Sequence, residues 1–173
     1  MKKILFALLA LSLIACTKVE PEKLPEPEAA DYTGTVTVMF QGEPFDNEGI
    51  NVNFTPSEDG KTAEITIYKI RFVSQMPVTI DVTIPKINLQ STSEGIILSC
   101  EEVIPLAMGG EYPRYKVTEL KGKVAGKELT FSLNFGDYPT SFKGQADYIS
   151  LTTLMMRPHW TPSRRAEKKD SSV

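Results

Sequence analysis

The chain has 173 residues, with 19 basic and 22 acidic side chains, two cysteines and one histidine, for a formal net charge of −3. Two cysteines exclude a disulfide scaffold and a cysteine-rich metal site, and one histidine beside one free thiol falls short of the three or four ligands that zinc takes. The charge is uneven, −8 over residues 16–156 and +3 over residues 157–173. An acidic body argues against nucleic acid as a partner, which calls for a basic stripe.

Lys2 and Lys3 precede an uncharged apolar run over residues 4–15. As a helix this run would span about 18 Å at ~1.5 Å per residue, short of a ~30 Å bilayer core. It therefore reads as a secretory leader, residues 1–15, ending on a small residue before the cut. The stretch L-I-A-C, from Leu13 to Cys16, resembles the lipobox of bacterial lipoproteins. That resemblance implies a diacylglyceryl group on the Cys16 thiol, cleavage after Ala15 and attachment to a membrane through the Cys16 lipid. Several acyl chains hold firmly where one holds marginally, at ~0.8 kcal/mol per buried methylene. An ordinary secretory leader with an incidental cysteine is the other reading. Thr17 after the cysteine implies, by the same resemblance, export to the outer membrane, on its periplasmic or cell-surface face. Glu20 and Glu22 are similar to the acidic stretch of some surface-exported lipoproteins.

Residues 16–31, T-K-V-E-P-E-K-L-P-E-P-E-A-A-D after the cysteine, alternate proline with glutamate and show no apolar period. They read as an extended tether, or simply as a disordered end. Residues 32–145 then fall into short alternating runs. Eight strands are predicted, at 35–40, 50–54, 63–72, 78–84, 95–100, 115–124, 128–135 and 140–144. In the third, Ala63, Ile65 and Ile67 share one parity while Ile70 and Phe72 share the other, which calls for a bulge near Tyr68 and Lys69. In the fourth, Val78, Ile80, Val82 and Ile84 are expected inward, and Pro85 ends or bends the strand. Residues 41–49 and 101–113 are expected as the long loops. No stretch from 31 to 145 has helical periodicity. The fold class is all-β, an antiparallel eight-stranded sandwich or barrel, and meander order allows closure that removes the sheet edges. Residues 146–173 form a C-terminal extension. Its first part, A-D-Y-I-S-L-T-T-L-M-M, is partly apolar, and the rest is polar, proline-broken and expected to be disordered. Its basic residues Arg164, Arg165, Lys168 and Lys169 read as solvated or as touching anionic headgroups.

The pieces Y-T-G-T-V-T-V (Tyr32 to Val38), I-T-I-Y-K-I-R-F (Ile65 to Phe72), M-P-V-T-I (Met76 to Ile80), L-K-G-K-V-A-G-K-E-L-T-F-S-L (Leu120 to Leu133) and F-K-G (Phe142 to Gly144) follow in order. Together they resemble the calycin-like, lipocalin-like β-barrel domain of lipoproteins from gut-dwelling Gram-negative bacteria. The resemblance covers about 31–145 and implies a closed barrel at the cell envelope. It implies no reaction.

Candidate chemistry is sparse. His159 lies in R-P-H-W-T-P, where nothing fixes it beside a nucleophile. No phosphate-binding or dinucleotide motif occurs. Cys100, in I-I-L-S-C, reads as a buried inert thiol. Glu101 and Glu102 are adjacent and so point to opposite faces, which suits a solvated strand end better than a carboxylate dyad. Asp81 reads as solvated. Tyr32, Phe40, Phe54, Phe72, Phe131, Phe135 and Phe142 sit at apolar-parity positions or strand ends and read as core. The expectation is a non-enzymatic, membrane-anchored lipoprotein without cofactor or metal, binding a small apolar ligand inside the barrel or a protein or glycan on its loops. The alternative is a purely structural accessory subunit of a surface complex.

Overall fold

A computed structural model describes residues 23–146. The leader, Cys16, the first part of the tether, His159 and the extension beyond Ala146 lie outside the described residues.

The strands are β1 (Ala30–Phe40), β2 (Glu43–Pro56), β3 (Thr62–Ile70), β4 (Ile80–Thr92), β5 (Gly95–Val103), the short pair β6 (Leu106–Ala107) and β7 (Gly110–Glu111), then β8 (Val117–Ala125), β9 (Glu128–Phe135) and β10 (Tyr138–Ala146). A 3₁₀ turn over Pro113–Tyr115 is the one helical element among the described residues. The eight long strands pair antiparallel in sequence order, and β1 pairs with β10. The sheet is therefore a closed meander barrel, and each of the eight predicted strands exists. β1 begins at Ala30, inside the stretch read as tether, because Ala30 already pairs with Phe54.

Alternation puts one face of every strand inside. Val36, Val52, Phe54, Ile65, Ile67, Ile84, Ile87, Leu129 and Phe135 have no accessible surface at all. A barrel of eight strands has a bore that side chains just fill, and here they fill it.

Strict alternation fails at four places, and all four have one cause. Asn47 and Ile50, Ile67 and Ile70, Ile84 and Ile87, Val117 and Leu120 are all buried pairs three residues apart. The pairing register shifts at each of them. One extra residue enters the strand there, and a residue within each skipped pair takes left-handed backbone: Gly49 (φ 64°), Lys69 (56°), Lys86 (57°) and Glu119 (55°). Each is a β-bulge that restores the inward phase and bends the strand. The bulge expected near Tyr68 and Lys69 is therefore present. Pro85 bends β4 and does not end it, so the strand runs on to Thr92.

Three expectations need correction. Residues 41–49 are not a long loop: Gln41 (φ 51°) and Gly42 (φ 85°) make a two-residue hairpin turn, and β2 starts at Glu43. Positive φ at both turn residues matches the right-handed strand twist. Residues 101–113 are largely wall. β5 continues to Val103, and β6 pairs with β4 through Val82–Ala107 and Thr83–Leu106, beyond the last β4–β5 pair at Asn88–Ser99. Val78 does not face inward but is 60% exposed, because the β3–β4 ladder ends at Ile70–Ile80 and leaves it outside the strand.

Two substitutions test this account. Phe54→Ala empties a fully enclosed site and is expected to cost ~3–5 kcal/mol, read from the shift of the urea midpoint. Lys86→Gly relieves left-handed strain and is expected to leave stability unchanged or raise it by up to ~1 kcal/mol. A clear loss in Lys86→Gly would mean that the lysine side chain, and not its backbone, holds the bulge.

Candidate functional site

The barrel has two unlike ends. At one end both described termini emerge, with the β2–β3, β4–β5 and β8–β9 turns. Tether residues lie against this end: Ser91 Oγ donates to the Pro25 carbonyl at 2.8 Å. Pro27 packs toward Gly60. Beneath the tether is an open cavity of about 470 Å³, with Tyr32, Phe54, Ile96 and Val124 in its lining and Glu26 and Glu28 at its rim.

The far end carries the β1–β2 and β9–β10 turns, the β3–β4 connection and the β5–β8 excursion. Here aromatic rings stack in a ladder. Tyr112 lies 5.2 Å from Tyr115, Tyr115 lies 4.3 Å from Phe72, and Phe135 meets Phe72 edge-on at 5.3 Å. Tyr138 joins Tyr115 and Phe40 at 5.8 and 6.1 Å. Offset stacks of this kind add to plain burial. Arg114 sits over Tyr115 at 5.8 Å, and Arg71 sits over the Phe45 ring at 5.6 Å. Burial pushes the Tyr115 phenol above its ordinary value against the pull of Arg114. Val78, Ile104, Leu106 on β6 and Met108 on the β6–β7 turn are exposed around this end, Met108 at 80%.

One buried amide holds these loops to the barrel. Asn47 Oδ1 accepts from the Arg71 backbone N–H at 3.0 Å, and its Nδ2 donates to the Arg71 carbonyl at 3.0 Å and to the Val36 carbonyl at 3.4 Å. Asn47 thus stands in for a ladder pair where β3 has ended. In the sequence Asn47 falls in a polar stretch that reads as loop, although its spacing of three from Ile50 matches the other bulge pairs.

The residues singled out for chemistry are dispersed. Cys100 points inward from β5 at 8% exposure, and burial raises its thiol above the ordinary value. Glu101 and Glu102 are exposed, and Glu102 pairs with Lys116 at 3.0 Å. Asp81 is exposed but has a structural role: its carboxylate accepts from the Lys69 N–H at 2.9 Å, which supports the bulge there. Tyr32, Phe54, Phe72, Phe131, Phe135 and Phe142 are core, as read, while Phe40 is half-buried in the far-end cluster. Among the described residues no group of three or more His, Cys, Asp or Glu could hold a metal ion. Comparison of the chain with protein-family models, with curated proteins and with solved structures finds no match.

Asn47→Ala strands the Arg71 backbone groups and is expected to destabilise by ~1–3 kcal/mol, with the earliest loss of amide exchange protection at residues 71–79. Cys100 in a Cys16→Ser chain is expected to alkylate slowly at pH 7, because its raised pKa leaves less thiolate than a free cysteine has. Its rate should climb as pH rises beyond the ordinary thiol range; alkylation at the rate of a free thiol at pH 7 would contradict the buried placement.

Proposed function

We propose that this chain is a lipid-anchored, non-catalytic binding protein of a Gram-negative cell envelope, a calycin-like barrel that meets a protein or glycan partner on its outer surface. The single observation that carries this reading is the packed bore. Side chains without accessible surface occupy the interior, and the cavity that core residues line lies open at the tether end, which supports recognition on the outside of the barrel. The address rests on L-I-A-C at Leu13 to Cys16, with the Cys16 lipid as the membrane contact. Both described termini leave from one end, and the seven residues from Cys16 to Glu22 reach about 25 Å at most. An anchor at Cys16 would therefore turn the tether end toward the lipid and leave the far end and the walls facing outward.

A second reading, an accessory subunit of a surface complex, is favoured by the exposed Val78, Ile104, Leu106 and Met108. Apolar side chains gathered on neighbouring loops suit the buried centre of a protein interface.

Metabolic labelling with an alkyne fatty acid, followed by membrane fractionation, tests the anchor. The chain is expected to carry the label in the membrane fraction, and Cys16→Ser is expected to lose both label and membrane. A labelled Cys16→Ser chain, or an unlabelled parent, would refute it.

A further inference from the structure

The outer wall of β1, β10, β9 and β8 differs in chemistry from the rest of the surface. Cross-strand pairing aligns its side chains in two rows. One runs Thr37, Ser141, Ser132, Lys121, and the next runs Thr35, Lys143, Thr130, Lys123. At ~4.8 Å between strands, a row of four spans about 14 Å. Between the rows lies an open groove of about 410 Å³ with Gly122 in its lining, where a Cβ would collide with the Thr130 carbonyl oxygen and the Phe131 Cβ, so the two strands approach closely there. No carboxylate lines this groove, in a body that is otherwise strongly acidic.

The fold itself leaves most of these groups unused. The hydroxyls of Thr35, Thr130, Ser132 and Ser141 and the Lys121 ammonium have no side-chain partner among the described residues. Thr37 donates to Asp46 at 2.6 Å. Lys143 reaches Glu128 at 3.5 Å in a pair exposed on both sides, of the sort that water screens. Lys123 is paired more closely with Glu94, at 2.9 Å.

We infer that this wall binds an anionic glycan, a uronate-type chain laid across the four strands. Such a chain sets about two hydroxyls beside each carboxylate, and the wall sets five hydroxyls (Thr35, Thr37, Thr130, Ser132, Ser141) beside three ammoniums (Lys121, Lys123, Lys143). Polyphosphates carry a charge on every phosphate, far more closely spaced than one per sugar ring, and call for a denser set of cations. A protein partner would find no large exposed apolar anchor here, since those of the described residues lie elsewhere; lysine and serine are depleted at protein interfaces. The carboxylates would take charge-assisted hydrogen bonds from Lys121 and Lys143. This deepens the glycan arm of the proposed function, and its failure would leave the anchor and the far-end surface standing.

The test is calorimetric titration of the full lipidated chain in detergent with oligosaccharides of galacturonate, mannuronate and a glucuronate-containing repeat. Neutral galactan and polyglutamate are the comparison probes. At least one uronate is expected to bind more tightly than both comparisons. Lys121→Ala, and Ser132→Ala with Ser141→Ala, are each expected to weaken it by about tenfold, with unchanged melting since these side chains face solvent. Binding of no uronate would overturn the assignment. So would equal binding of polyglutamate, or uronate binding that salt abolishes and the double serine variant leaves untouched, because the wall would then be reading charge alone.

Discussion

Eight strands closed into a ring set a bore of fixed width, and filling that bore with side chains is the constraint on which the rest of the structure depends. Phe54, Phe135 and the isoleucines meet it from every side. Since apolar side chains must keep pointing inward along strands that also have to bend, each bend needs a phase change. The bulges at Gly49, Lys69, Lys86 and Glu119 supply it. Three of the four place a non-glycine residue in left-handed backbone, a strain of roughly 1–2 kcal/mol each. The packed interior offsets that strain. Asp81, bonding the Lys69 N–H, shows local support for one of these bends.

The same logic explains how much could be read in advance. Alternation such as Val82 with Ile84, or Leu129 through Phe135, is legible because every second side chain meets the core. The phase slip at Tyr68 and Lys69 was legible because apolar residues flank it closely on both sides. The bulge at Lys86 was harder, as Pro85 looks like a terminator, and Ile87 alone hints that the inward face resumes. At Glu119 the spacing from Val117 to Leu120 held the clue inside a run with many charges. Asn47 was illegible as core, because a polar side chain at an inward position mimics a loop until its partner, the Arg71 backbone, comes into view. The turn at Gln41 was hidden for a related reason: glutamine seldom takes positive φ, and nothing local forces it.

The candidate sites were less legible than the fold. Aromatic positions could be assigned to the core by parity, but their gathering into one ladder at the far end arises from loops that approach only when the barrel closes. The hydroxyl and lysine rows on the wall are likewise a product of register. Thr37 and Lys121 are 84 residues apart in the chain and meet through two intervening strands. Period-two patterning reports which face a residue takes and says nothing of its lateral neighbours.

The seam between β1 and β10 joins Tyr32 to Ala146, the first of the described strands to be made and the last. Until Tyr138 to Ala146 have left the ribosome, β1 and β9 are both raw sheet edges, open to any other extended chain nearby. Closure must wait for the final strand, so the nascent barrel passes through an interval in which it is adhesive along its whole length. The shorter that interval, the less the unfinished barrel is open to wrong partners.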